Sequence, residues 1–124
     1  MVAMGVEEAA DRRDAVPVPS GALVQVLGGF YEGLAVPIDR DWMVIGRGRS
    51  ADVMIAEPTI SRAHAAIGYD GAGFFMQDIG STNGTRVNGN RHARVDLSDG
   101  DELQLGKLRL RVTVPSRNRI NRGA

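Results

Sequence analysis

Cysteine is absent from the 124 residues, which removes disulfides, thiolate chemistry and cysteine-based zinc sites together and fits a reducing compartment. An excess of charge of either sign is also missing. Fifteen Lys and Arg are matched by fifteen Asp and Glu, so no overall field draws the molecule onto nucleic acid or a membrane, and any anion site has to be local. Apolar runs stay far short of the roughly 20 residues that cross a bilayer. The opening stretch MVAMGVEEAADRRDAV has neither the basic start nor the apolar middle of a signal peptide. Taken together, these features predict a complete cytoplasmic chain of one domain that acts as a monomer. Amphipathic helices are lacking too, since no window of ten or more residues between Gly21 and Val114 carries a 3.6-residue apolar period.

What is present is a series of short apolar or alternating runs: ALVQVL, LAVPI, WMVI, DVMI, AHAAIGY, FFMQDI, TRVN, ELQL and LRLRVTV. All have strand length. GG, DRD, DGAG, STNG, NGN and SDGD stand between them, turn chemistry at the spacing of an all-β antiparallel sandwich or barrel. Residues 1–20 have no sustained period and read as a flexible leader, 21–114 as the folded domain, and 115–124, with Arg117, Arg119 and Arg122, as a frayed basic tail. Gly46 to Ala51 spells G-x-G-x-x-A, one form of the dinucleotide fingerprint, but the residues after it look like another strand and Pro58 follows soon after. A crossover helix does not fit there, and no Gly-Lys-Ser/Thr completes a Walker loop.

Hydrogen-bond donors dominate three of the loops. Arg47 and Arg49 follow one strand, Ser61, Arg62 and His64 precede another, and Ser81 to Thr85 follow a third. A sandwich gathers alternate loops at one end, so these groups can converge, and guanidinium, hydroxyl and backbone N–H all suit phosphate oxygens. IGR at 45–47, Asp52, SRAH at 61–64, STNGT at 81–85, Asn88-Gly89 and LSDGDELQLG at 97–106 resemble, in order and spacing, the forkhead-associated (FHA) domain over Gly21 to about Val114. The resemblance implies a β-sandwich of about eleven strands whose end loops bind phosphothreonine in a partner protein, with no catalysis and no cofactor. Carried over by position, Arg47 is the phosphate-binding arginine and Ser61 the second phosphate donor. Arg62 adds charge or touches the peptide, Thr82 lies against the phosphothreonine, and Asn83 bonds the peptide main chain. Gly46, His64, Gly84, Asn88 and Gly89 match positions that hold the loops in shape.

Plainer readings stand beside these. Arg49 shares Arg47's neighbourhood without its motif, and Ser61 on its own reads equally well as a loop brace. Ser61 and His64 lack a third orienting group for nucleophilic chemistry, which favours a buried, hydrogen-bonded histidine; His92 is expected to be exposed. Asn83-Gly84 and Asn88-Gly89 both read as type I′ turns, with ligand contact preferred for Asn83 alone. Trp42, Met54, Phe74, Phe75 and Met76 are expected in or half in the core. Asp52, Asp78 and Asp101 follow no metal-loop spacing and read as turn or salt-bridge residues, so no metal is expected. Certain bacterial relatives carry in the leader a threonine that is phosphorylated and folds back into its own site. Here the first threonine is Thr59, so the phosphorylated protein, a Ser/Thr kinase or its substrate, is expected in trans unless Thr113 were exposed. The rival readings are a phosphate-independent protein-interaction module and, from Arg109, Arg111 and the tail, weak binding to nucleic acid or another acidic surface.

Overall fold

A computed structural model describes residues 17–115, so most of the leader and nearly all of the tail lie outside the described residues. Eleven strands and no helix are found among them. β1 (Leu23–Val26), β2 (Ala35–Pro37), β7 (Thr85–Val87), β8 (Asn90–Arg91), β10 (Glu102–Leu105) and β11 (Leu108–Thr113) form one sheet, in the order β2-β1-β11-β10-β7-β8. β3 (Trp42–Gly46), β4 (Val53–Met54), β5 (Ala65–Tyr69), β6 (Phe74–Asp78) and β9 (Arg94–Asp96) form the other, in the order β4-β3-β5-β6-β9. All pairings are antiparallel except β3 with β4, where Ile45 faces Val53 and Gly46 faces Met54.

The two-residue period of a strand sets which side chains fill the space between the sheets. In β11, Leu108, Leu110 and Val112 are buried while Arg109, Arg111 and Thr113 face solvent. Leu103 and Leu105 of β10 and Val24 and Val26 of β1 join the same apolar cluster as Met43, Ile45, Ile67, Phe74 and Met76 of the facing sheet. The same period corrects the expectation for the apolar pairs. Phe74 and Met76 point into the core, but Phe75 lies on the outer face, its ring filling the space over Gly68. Arg94 caps that ring at 3.7 Å and Trp42 stands 6.3 Å from it, so Phe75 is buried although it is outside the core. Trp42 and Met54, on the outer side and edge of this sheet, are 41% and 58% exposed rather than core or half-core.

β8 and β9 were not among the apolar runs, because their two and three residues are mostly exposed and polar and gain their strand character from pairing with β7 and β6. Asn88 (φ 50°) and Gly89 (φ 89°) both occupy the left-handed region, as a type I′ hairpin between β7 and β8 requires. The Asn88 side chain donates to Asp101 Oδ1 (2.9 Å) and accepts from Glu102 N–H (3.0 Å), tying the hairpin to β10. Asn83-Gly84 is no hairpin turn, since it links β6 of one sheet to β7 of the other.

Because β3 and β6 run the same way, the segments after them, 47–52 and 79–84, leave the sandwich at the same end. The segment 55–64 before β5 and the β10–β11 turn meet them there, the turn through a bond from Lys107 N–H to Thr59 Oγ1 (2.8 Å).

Candidate functional site

Gly46 ends β3 at the point where the chain must pass under Arg62. A Cβ there would collide with the Arg62 carbonyl, so glycine is required by close approach of backbone to backbone. Two bonds then lock the segments together: Arg47 N–H donates to Ser61 O and Gly48 N–H to Arg62 O, each at 3.0 Å. The Arg47 side chain is fixed partway along its length, Nε donating to the Ile60 carbonyl at 2.9 Å. Neither terminal amino group of its guanidinium makes a hydrogen bond or ion pair among the described residues, and the residue is exposed.

Ser61 sits where three segments cross. Its carbonyl accepts from Arg47, its N–H donates to His64 Nδ1 (3.0 Å), and its hydroxyl oxygen accepts the N–H of Thr82 (3.1 Å). The oxygen thus accepts one bond while the hydroxyl proton has no partner among the described residues, leaving Ser61 free to donate. His64 is fully buried. Since its Nδ1 accepts a hydrogen bond from Ser61 N–H, the ring hydrogen is on Nε2, which donates to Gly84 O at 2.8 Å. Both ring nitrogens are therefore committed to backbone, and neither is bonded to the Ser61 hydroxyl as a nucleophile's base would be. His64 staples the Ser61 segment to Gly84 instead. His92, expected to be exposed, is half-buried, its N–H donating to Thr85 O.

The 79–84 loop is organised by Asp78. Its Oδ1 accepts Gly80 and Ser81 N–H (2.9 Å each), and its Oδ2 accepts the hydroxyls of Ser81 (2.6 Å) and Thr85 (2.8 Å). Partial burial would raise the carboxyl's pKa, but the bonds from Ser81, Thr85 and Gly80 outweigh it and hold the value at about 2. Ser81 Oγ passes the order on by accepting Gly84 N–H (2.8 Å), at a glycine with φ 83°. The loop so fixed presents Thr82 and Asn83, both exposed. Asn83 Nδ2 donates to Thr59 O (2.8 Å), while its Oδ1 has no partner among the described residues and remains free to accept.

The structure thus brings Arg47, Ser61, Arg62, Thr82 and Asn83 to one end, with Gly46, His64 and Gly84 directly beneath them, whereas Asn88 and Gly89 are remote and act through β7 and β10. Thr59, Glu57 and Lys107 were missed. Thr59 holds Asn83 with its carbonyl and Lys107 with its hydroxyl oxygen, and its own N–H and O–H go to Glu57 Oε2 (3.0 and 2.6 Å), which holds the Glu57 carboxyl below its ordinary range. The Glu-Pro-Thr spacing is the only local signal of this; the bonds to Asn83 and Lys107 span 24 and 48 residues and have none. Thr113, expected to be covered, is exposed because it falls on the outer side of β11. Its backbone pairs with Leu23 at the end of the sheet away from these loops, out of reach of the site.

Comparison with known proteins agrees with this architecture. The sequence profile of the FHA domain matches residues 43–106, from the second residue of β3 into the β10–β11 turn. The chain belongs to the FHA family. An oxoglutarate dehydrogenase inhibitor of Corynebacterium jeikeium is 36% identical to this FHA protein over 109 residues, 83% of the present chain and 76% of that one. The glycogen accumulation regulator GarA of Mycolicibacterium smegmatis is 38% identical over 94 residues, 75% of this chain and 60% of GarA. A solved structure from an analysis of phosphothreonine-dependent FHA domain interactions superposes with a TM-score of 0.71 at 31% identity, covering 78% of this chain and 98% of its own. The FHA domain of FhaA, solved in complex with the intracellular domain of Rv3910, gives 0.68 at 32% identity, covering 74% and 99%. FHA is a binding fold, and these curated relatives are named for inhibition and regulation. No helix among the described residues is long and apolar enough to cross a membrane.

Proposed function

We propose that this FHA domain binds phosphothreonine-containing segments of partner proteins in trans, as a cytoplasmic adaptor in Ser/Thr-kinase signalling, with no catalysis of its own. The observation that carries the reading is Arg47. Its stem is anchored on the Ile60 carbonyl and its two terminal amino groups are free among the described residues, while its backbone is bonded to Ser61, whose hydroxyl proton is free to donate.

A phosphothreonine brings nearly two negative charges and three strong acceptor oxygens. Arg47 meets two oxygens with its fork, and Ser61 O–H donates to a third. Both donors are held by the protein's own backbone before any ligand arrives, so little ordering entropy remains to be lost on binding. Asn83 Oδ1 accepts an N–H from the peptide main chain, a contact indifferent to side-chain sequence. Thr82 lies against the threonine. A niche for its methyl contributes about 0.8 kcal/mol over phosphoserine, roughly four-fold in affinity. No threonine precedes Thr59 in the sequence, and Thr113 is remote, which favours a ligand supplied by another protein.

One observation favours a second use. Trp42 and Met54 expose large apolar side chains on the outer side of the β3–β4 edge, a surface suited to a partner irrespective of phosphate. Calorimetric titration with matched peptides bearing Thr, phosphoserine or phosphothreonine separates the two. The reading predicts binding confined to phosphorylated peptides, strongest for phosphothreonine and lost in Arg47→Ala. Equal binding of all three peptides, unimpaired in the variant, contradicts it.

A further inference from the structure

Arg47 is not the only unpaired cation at the loop end. Arg62 lies against the neighbouring strand exit, its carbonyl bonded to Gly48 N–H and its Cβ 3.0 Å from where a Cβ on Gly48 would sit, which places it beside the residue that separates Arg47 from Arg49. On the other side of Ser61, Lys107 is held by its N–H on Thr59 Oγ1, and Thr59 in turn holds Asn83. All four cationic residues are exposed. The ion pairs among the described residues join Arg40 to Asp39 and Asp52, Arg94 to Asp70 and Arg109 to Glu102, and none involves Arg47, Arg49, Arg62 or Lys107. Glu57 is the carboxylate whose charge interacts with Lys107, and it is committed to the hydroxyl and N–H of Thr59.

Like charges gathered at one end repel one another in the free protein, and even with Glu57 beside Lys107 a phosphate, carrying fewer than two full charges, leaves the cluster with a net positive charge. From these observations we infer that the ligand is a phosphothreonine flanked by carboxylates, with Arg49 and Arg62 meeting acidic side chains on one side of the phosphate and Lys107 meeting them on the other. The inference rests on the phosphothreonine reading and adds the chemical class of the partner. Arg47 selects the phosphate; the three outer cations select its surroundings. An extended peptide advances about 3.3 Å per residue, so acidic residues within a few positions of the phosphothreonine come within reach of these long side chains.

The test uses the full chain and phosphothreonine peptides of one length, with flanks rich in Glu and Asp, in Ala and Gln, or in Lys. Affinities are compared at low and high salt, for the parent and for Arg49→Ala, Arg62→Ala and Lys107→Ala. These substitutions alter exposed side chains, and thermal unfolding of each variant verifies that the fold is intact. The expected order is acidic above neutral above basic. Arg49→Ala and Lys107→Ala should each lose about two- to five-fold for the acidic peptide at low salt, the range of an exposed charge pair, and nothing measurable for the neutral one, while Arg62→Ala should lose more for the acidic peptide than for the neutral one. The preference should shrink at high salt. Tight binding with no dependence on flanking charge, or variants that weaken every peptide alike, would overturn the inference and leave phosphothreonine recognition standing. Failure to bind any of the phosphorylated peptides would overturn both.

Discussion

Arg47→Ala removes a charge while leaving Ser61, Thr82 and Asn83 fixed by bonds that do not involve the arginine side chain. The expected loss is about 2 to 5 kcal/mol of binding, roughly 30-fold to several thousand-fold, as for truncating one member of a buried charge pair. Thermal stability should barely change, and titration beside a melting curve checks both halves. His64→Ala inverts the pattern. It leaves Ser61 N–H and Gly84 O unpartnered in a buried cavity, at a cost on the order of 2 to 4 kcal/mol of stability in a denaturant titration, and it frees the two loops from each other. Gly46→Ala drives a methyl into the Arg62 carbonyl and should cost about 1 to 3 kcal/mol as the backbone shifts. The meeting of Arg47 and Ser61 at one end was legible because motif and loop order pointed at them. The role of Thr59 was not: its bonds depend on how far apart in sequence two touching loops lie, and spacing carries no mark of that.

At the scale of elements, the loop between β6 and β7 depends on one carboxylate, and acid should dissolve it. The folded-state pKa of Asp78, about 2, lies below the ordinary 3.8, so its stabilisation is complete above about pH 4 and is lost as pH falls through 2. The loss amounts to on the order of 1 to 2 kcal/mol after allowing for solvent screening of a half-buried group. Denaturant midpoints measured between pH 5 and 2 should fall, and Asp78→Asn should flatten that part of the slope while loosening Ser81 to Gly84. The nine apolar runs all contain strand, because burial of one face writes its period into the sequence. β8 and β9 were illegible for the opposite reason, since exposed polar residues become strand only by pairing with an already formed neighbour. Phe74 and Phe75 show the limit of composition: adjacent identical side chains have opposite fates, and only register decides which one faces the core.

Across the whole molecule, a formal net charge of zero conceals a division. At the loop end Arg47, Arg49, Arg62, Arg91 and Lys107 outnumber Glu32, Glu57 and Asp78, whereas the turns at the far end carry Asp39, Asp41, Asp70, Asp99 and Asp101 against Arg40. Composition alone could not reveal this, because the charges sort only when the strands alternate direction and send successive loops to opposite ends. Such a dipole should steer an anionic partner loop-end first, so the association rate for a phosphorylated peptide should fall with added salt more steeply than the dissociation rate rises, as stopped-flow mixing would show. The central claim remains that a phosphate is gripped where Arg47, Ser61 and Asn83 meet. The most direct test is to follow every backbone amide by nitrogen–proton NMR while a phosphothreonine peptide is added. The account predicts that the largest shifts fall on residues 47, 61, 62, 82 and 83, with none of comparable size when the phosphate is absent. Shifts centred instead on Trp42, Met54 and Phe75, alike for both peptides, would contradict it.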